Sequence, residues 1–149
     1  QLRTREQFAA HGIDAARIEI SAQQGSLREH LAQYNRADVA LDTFPYNGTT
    51  TTCEALLMGA AVVTLAGRTH AGRVGATLLH RVGLDELVAD SEDAYVATAV
   101  ALGRDVPRIR EIRSQLRERL LRSPLTDAER FTQSFEAALE RAWEEKVRA

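Results

Sequence analysis

The chain has 149 residues, 44% hydrophobic and 27% charged, the composition of a globular protein with room for one domain and a real core. A net charge of −2 gives no field that favours nucleic acid or an acidic membrane, and no apolar run approaches the ~20 residues that span a bilayer. Cys53 is the single cysteine, so no internal disulfide forms, which suits a reducing, cytoplasmic compartment. The opening at Gln1, directly in a helical pattern and without a secretory leader, is expected to be a cut within a longer chain.

A short helix is expected from Thr4 to His11, closed by Gly12. Arg17-Ile18-Glu19-Ile20-Ser21 then alternates as a short strand does. Ser26 with Glu29 three residues on makes a capping box for a helix from about Leu27 to Asn35. Ala37 to Asp42 reads as a strand buried on both faces. Pro45 and Asn47-Gly48 mark a loop, after which the threonines open a helix that runs through Met58 to Gly59. Ala61 to Leu65 is a third strand, a helix follows from about Ala71 to Val82, and Glu86 to Ala89 is a fourth strand. Helices close the chain at about Ser91 to Gly103, Asp105 to Arg122 and Asp127 to Val147.

This order predicts an α/β fold: a Rossmann-like parallel sheet with helices on both faces, followed by long C-terminal helices. Ligands of such sheets lie beyond the carboxyl ends of the strands. Residues 1–149 read as a single domain, with the C-terminal helices of 104–149 packing on it outside the sheet. The arginine-rich stretch from Arg104 to Arg122 reads as a solvated helix face.

The segment from Asn47 to Glu54 carries the chemistry. A helix that starts beyond a strand's carboxyl end presents free backbone N–H groups and a positive dipole end, a ready anion site. Gly48 lets the backbone approach a bulky ligand, and Thr49, Thr50, Thr51 and Thr52 add hydroxyl donors. A single threonine reads as an ordinary cap; four in a row after Asn-Gly exceed what capping needs. Together they suit a diphosphate without any lysine. Glu54, in the first turn, complements the dipole and has acceptor capacity for two ribose hydroxyls. Arg73, with His70, stands where the third strand feeds its helix, and its guanidinium suits phosphate; His30 and Arg28 are further candidates on the preceding helix. Cys53 reads as a small packed residue, since no base stands beside it. The four histidines show no metal-ligand spacing.

The run Asp38-Val39-Ala40-Leu41-Asp42-Thr43-Phe44-Pro45-Tyr46-Asn47-Gly48-Thr49-Thr50-Thr51-Thr52-Cys53-Glu54-Ala55-Leu56 resembles the catalytic C-terminal region of the O-GlcNAc transferase and SPINDLY family. The resemblance continues through Met58-Gly59, Val63 to Gly67, His70 to Gly75, Val82-Gly83-Leu84, Leu87-Val88-Ala89, Ser123-Pro124-Leu125, Phe131 and Trp143. Phe-Pro-Tyr followed by Thr-Thr-Thr-Thr-Cys-Glu is the style of the SPINDLY branch. The O-GlcNAc transferases usually carry a histidine where Thr49 stands, and a lysine where Leu27 stands, three residues before the position of His30.

The resemblance implies the C-terminal half of a two-domain GT-B glycosyltransferase. Thr50 and Thr51 match the family's phosphate-side threonines, Glu54 its acidic ribose residue and His30 its helix histidine. The implied reaction moves a sugar to Ser or Thr hydroxyls of a protein acceptor, from UDP-GlcNAc or GDP-fucose, with no metal or other cofactor. The implied parent adds an N-terminal catalytic half and tetratricopeptide repeats; no general base is assigned in this chain. The alternatives are a module that binds a nucleotide or nucleotide-sugar without transfer, and a flavodoxin-like signalling domain, for which Asp38 and Asp42 are a poor acidic cluster.

Overall fold

A computed structural model describes residues 2–21 and 25–148. The chain divides into two compact units, Gln1–His30 and Leu31–Ala149.

In the first unit, helix α1 (Leu2–Ala10) closes on Gly12, whose φ of 74° is in the left-handed region. Gly12 N–H bonds the Ala9 carbonyl and Ile13 N–H that of Phe8, the paired bonds that finish a helix around such a glycine. The strand expected at Arg17–Ser21 does not form. Asp14 caps a 3-10 turn at Ala15–Arg17 by accepting from Ala16 N–H (2.9 Å), and residues 18–21 run on without forming a strand. Period-two alternation makes a strand only where a neighbouring edge completes the hydrogen bonds. The expected capping box is present: Ser26 N–H donates to Glu29 Oε2 and Glu29 N–H to Ser26 Oγ. Helix α2 (Leu27–Gln33) starts there and passes into the second unit, where a 3-10 turn, Tyr34–Arg36, follows.

The second unit is built on a parallel three-stranded sheet in the order β1 (Val39–Leu41), β2 (Ala61–Leu65), β3 (Val88–Ala89). Helix α3 (Thr50–Leu57) connects β1 to β2, and α4 (Val74–Arg81) connects β2 to β3. Ala61, Val62, Val63 and Thr64 are all buried. Successive residues of a strand point to opposite faces, so both faces of the central strand are covered. The cover comes from α3, α4, α5 (Glu92–Arg104) and α6 (Val106–Leu121). Leu56, Leu79, Leu84, Ile112 and Leu116 form the centre of the core.

Helix α6 buries Ile109, Ile112, Leu116 and Leu120, four positions on one face. Its arginines are not a uniformly solvated face. Arg108 pairs with Glu86 and Glu111, Arg113 donates to the carbonyls of Tyr34 (3.1 Å) and Ala37 (3.0 Å), and Arg119 donates to that of Gly83 (3.2 Å). Helix α7 (Ala128–Arg148) differs: it buries none of its residues, and Phe131, Phe135, Leu139, Trp143 and Val147 stand exposed at four-residue spacing. No helix among the described residues is long and apolar enough to cross a membrane.

Candidate functional site

The carboxyl ends of β1 and β2 each feed a loop that leads to a helix start, and the two loops are tied together. Asn47, 1% exposed, donates from Nδ2 to the Thr43 carbonyl (2.8 Å) and accepts Gly75 N–H on Oδ1 (3.2 Å), while its own N–H reaches the Ala71 carbonyl (3.0 Å). Asn47-Gly48 is therefore more than a turn: it locks the entrance of α3 to the entrance of α4. A Gly67 N–H bond to the Gly72 carbonyl (2.6 Å) and a Thr69 hydroxyl accepting Gly72 N–H (3.2 Å) shape the second loop. These bonds occupy the stretch expected to be helical from Ala71, so α4 begins three residues later, at Val74.

Asp42, immediately after β1, is the pivot of the first loop. It is 8% exposed; Oδ1 accepts Gly48 N–H, Oδ2 accepts the Thr64 hydroxyl, and its carbonyl accepts the Tyr95 hydroxyl (2.8 Å). Burial, and then the Asp42 carboxylate, push the Tyr95 phenol above its ordinary pKa. The Tyr95 ring meets Phe44 edge to face at 5.4 Å.

At the start of α3, Thr49 is the N-cap residue and makes no side-chain cap bond. Cys53 N–H bonds the Thr49 carbonyl (3.0 Å), so the amides of Thr50, Thr51 and Thr52 precede the helix's own ladder, at the positive end of its dipole. Thr49, Thr50 and Thr51 are exposed there. Thr52 departs from the expectation: it is 4% exposed and turned inward beside Gly48, where a Cβ would stand 2.6 Å from its Oγ1. Gly48 has an internal reason to be glycine, and its N–H is held by Asp42.

Arg73, the residue before α4, is exposed and donates to the Gly67 carbonyl at 3.3 Å. With His70 and Thr49 it lines one hollow, whose other walls are Val74, Thr77 and Leu78. A second hollow is lined by Thr51, Thr52, Asp42 and Tyr34 over the apolar Ala40, Leu41, Ala55 and Val62. Glu54 is half-buried beside Tyr34. Burial first, and then the charge and hydrogen bond of Glu54, hold the Tyr34 phenol above its usual pKa; its hydroxyl also reaches the Thr51 carbonyl at 3.2 Å. Cys53 is half-buried, and burial with the neighbouring Glu54 raises its thiol, which makes it a poor nucleophile. His30 lies on α2 in the first unit, partly buried. Among the described residues no group of three or more His, Cys, Asp or Glu is placed to hold a metal ion.

The structure thus gathers Thr49, Thr50, Thr51, Glu54 and Arg73 around two adjoining helix entrances, and adds Tyr34, Asp42, Asn47, Thr64 and Gly75, which sequence reasoning left unassigned. One signal for them existed: a hydroxyl residue, Thr64, inside the apolar run Ala61 to Leu65.

A parallel sheet with covered faces and a helix entrance beyond its first strand defines a Rossmann-like α/β architecture of the kind that holds nucleotides. The comparisons narrow this. The sequence pattern of Glycosyl transferase family 41 matches residues 2–135, and the chain belongs to that family. It is 45% identical over 132 residues to the "probable UDP-N-acetylglucosamine–peptide N-acetylglucosaminyltransferase SPINDLY" of Hordeum vulgare and 44% identical over 136 residues to that of Oryza sativa subsp. japonica. These alignments cover 89% and 91% of this chain but 14% and 15% of those proteins. The UDP-N-acetylglucosamine–peptide N-acetylglucosaminyltransferase of Caenorhabditis elegans is 32% identical over 93% of this chain and 12% of its own length. A solved structure of a mutant O-GlcNAc transferase from Thermobaculum terrenum superposes with a TM-score of 0.87 at 40% identity, covering 95% of this chain and 27% of that one.

Proposed function

We propose that this chain is the donor-binding part of a protein O-glycosyltransferase that moves GlcNAc or fucose from UDP-GlcNAc or GDP-fucose to Ser or Thr hydroxyls of a protein acceptor. The observation that carries the proposal is the entrance of α3. Exposed Thr50 and Thr51 stand on a helix start without a side-chain cap, beyond the carboxyl end of a parallel strand. The relatives named above are similar over this region and are named for transfer from UDP-N-acetylglucosamine to peptide.

As the sugar–phosphate bond breaks, the nucleoside diphosphate gains negative charge. Amides and hydroxyls already aimed at it stabilise that charge without reorganising. Arg73, in the hollow that Thr49 lines, adds a full positive charge that suits phosphate. Glu54 accepts from the ribose hydroxyls, with Tyr34 holding its carboxylate. Gly48 sets how closely the backbone approaches. No metal or other cofactor takes part in this reading. The chain spans about a seventh of its curated relatives, and the whole protein is proposed to add an N-terminal catalytic half and tetratricopeptide repeats and to act in the cytoplasm.

The test is Thr50→Ala combined with Thr51→Ala in the full-length protein. Loss of one donor to a developing oxyanion typically lowers turnover by about 100-fold or more, so transfer is expected to fall at least that far while the melting temperature holds. Wild-type turnover in the folded double variant refutes the assignment.

A further inference from the structure

A buried carboxylate persists only where its hydrogen bonds are made. Both oxygens of Asp42 are engaged, one by Gly48 N–H and one by the Thr64 hydroxyl, each at 2.7 Å. Thr64 is 0% exposed within an otherwise apolar strand, so its hydroxyl needs the carboxylate as much as the carboxylate needs it. Two glycines keep room for the pair. A Cβ at Gly75 would overlap Thr64 Oγ1 and Asp42 Oδ2, and one at Gly48 would stand 3.3 Å from Asp42 Oδ1 as well as against Thr51 and Thr52.

The bonds join three elements. Asp42 immediately follows β1, Thr64 belongs to β2, and Gly48 immediately precedes the N-cap of α3. Anchoring Gly48 N–H therefore fixes where the first turn of α3 begins relative to the edge of the sheet. It also reserves that amide, so those left to a ligand begin beyond it. We propose that Asp42 and Thr64 are positioning residues, a strut that aims the amides and hydroxyls of Thr50 and Thr51 at the donor diphosphate; the inference rests on the reading of that helix entrance given above. The strut works through geometry rather than charge. An asparagine at 42 accepts from Gly48 through Oδ1 and donates to Thr64 through Nδ2, whereas alanine does neither.

The experiment measures binding of UDP and of GDP to the full-length protein by calorimetry, with melting temperatures taken alongside. Asp42→Ala and Thr64→Val are each expected to weaken binding of the diphosphate that the wild type takes by about tenfold, as for one misplaced charge-assisted hydrogen bond. Asp42→Asn and Thr64→Ser are expected to restore binding to within a small factor of wild type, a rescue that general destabilisation does not produce. If Asp42→Ala does not fold, Thr64→Val, a methyl-for-hydroxyl exchange, decides. Wild-type affinity in folded Thr64→Val overturns the strut, and so does an Asp42→Asn variant that binds as weakly as Thr64→Val. Thr50→Ala with Thr51→Ala separates the two readings. Weakened binding there beside an unaffected Thr64→Val overturns the strut alone; unchanged binding there overturns the diphosphate reading and the strut with it.

Discussion

Gly75 lacks a side chain because the space where one would stand is taken by the Thr64 hydroxyl and an Asp42 oxygen. Gly75→Ala is therefore expected to destabilise by about 1–3 kcal/mol, the range for overpacked interiors, read as a lower urea midpoint with an unchanged slope. A wild-type midpoint would show that the carboxylate steps aside freely. Cys53 gives a second prediction. Its thiol is raised by burial and by Glu54, so at any given pH less of it is thiolate than in an unstructured cysteine. Alkylation by iodoacetamide at pH 8 should run several-fold slower in the folded protein than in urea, with its pH profile displaced upward; equal rates would contradict the shift. These residues also mark where sequence reading stops. Thr50, Thr51 and Glu54 were legible because their chemistry is packed into one short segment. Asp42, Thr64, Gly75 and Tyr95 act across 22, 28 and 53 positions of chain, and no local pattern encodes such pairings. Thr52 is hidden for the opposite reason: the three threonines before it are exposed, and helical rotation turns it inward.

Helices were legible where both ends carried a signal. Ser91 accepts Ala94 N–H at the start of α5, and Asp105 accepts Arg108 N–H at the start of α6. Ser91→Ala is expected to cost about 1 kcal/mol, the usual value of an N-cap, and a melting temperature equal to wild type would show the cap idle. The strands were less legible. Val39–Leu41 and Val88–Ala89 are shorter than the apolar runs that contain them, and the alternating Arg17–Ser21 segment is no strand at all. Alternation reports two unlike faces but not the presence of a partner edge. The start of α4 was displaced for a related reason, since Gly72 and Asn47 draw the backbone of residues 67–75 into loop bonds before the helix begins. The arginines of α6 show the same limit: composition described a charged face, and only the fold revealed that Arg113 and Arg119 hold carbonyls of other segments.

At the scale of the molecule, the proposed function turns on what would neutralise a diphosphate while a sugar leaves. A divalent cation beside a diphosphate is held through carboxylates. In this chain Asp42 is buried with both oxygens bonded to Gly48 and Thr64, Glu54 faces the Tyr34 phenol, and Asp90, just beyond β3, accepts the Ser91 hydroxyl, so these three carboxylates already have protein partners. Positive potential instead converges from the amino end of α3 and from Arg73, which stands beside Thr49 at the entrance of α4. In the proposed reading that potential does the work of a cation. The full-length protein, stripped with EDTA and desalted, is accordingly expected to keep its transfer rate within a factor of two or so, because oriented donors stabilise developing oxyanion charge on their own. Transfer that collapses on chelation and returns with magnesium or manganese would require a metal-holding carboxylate elsewhere in the protein, and would reduce the threonine helix to a secondary contact.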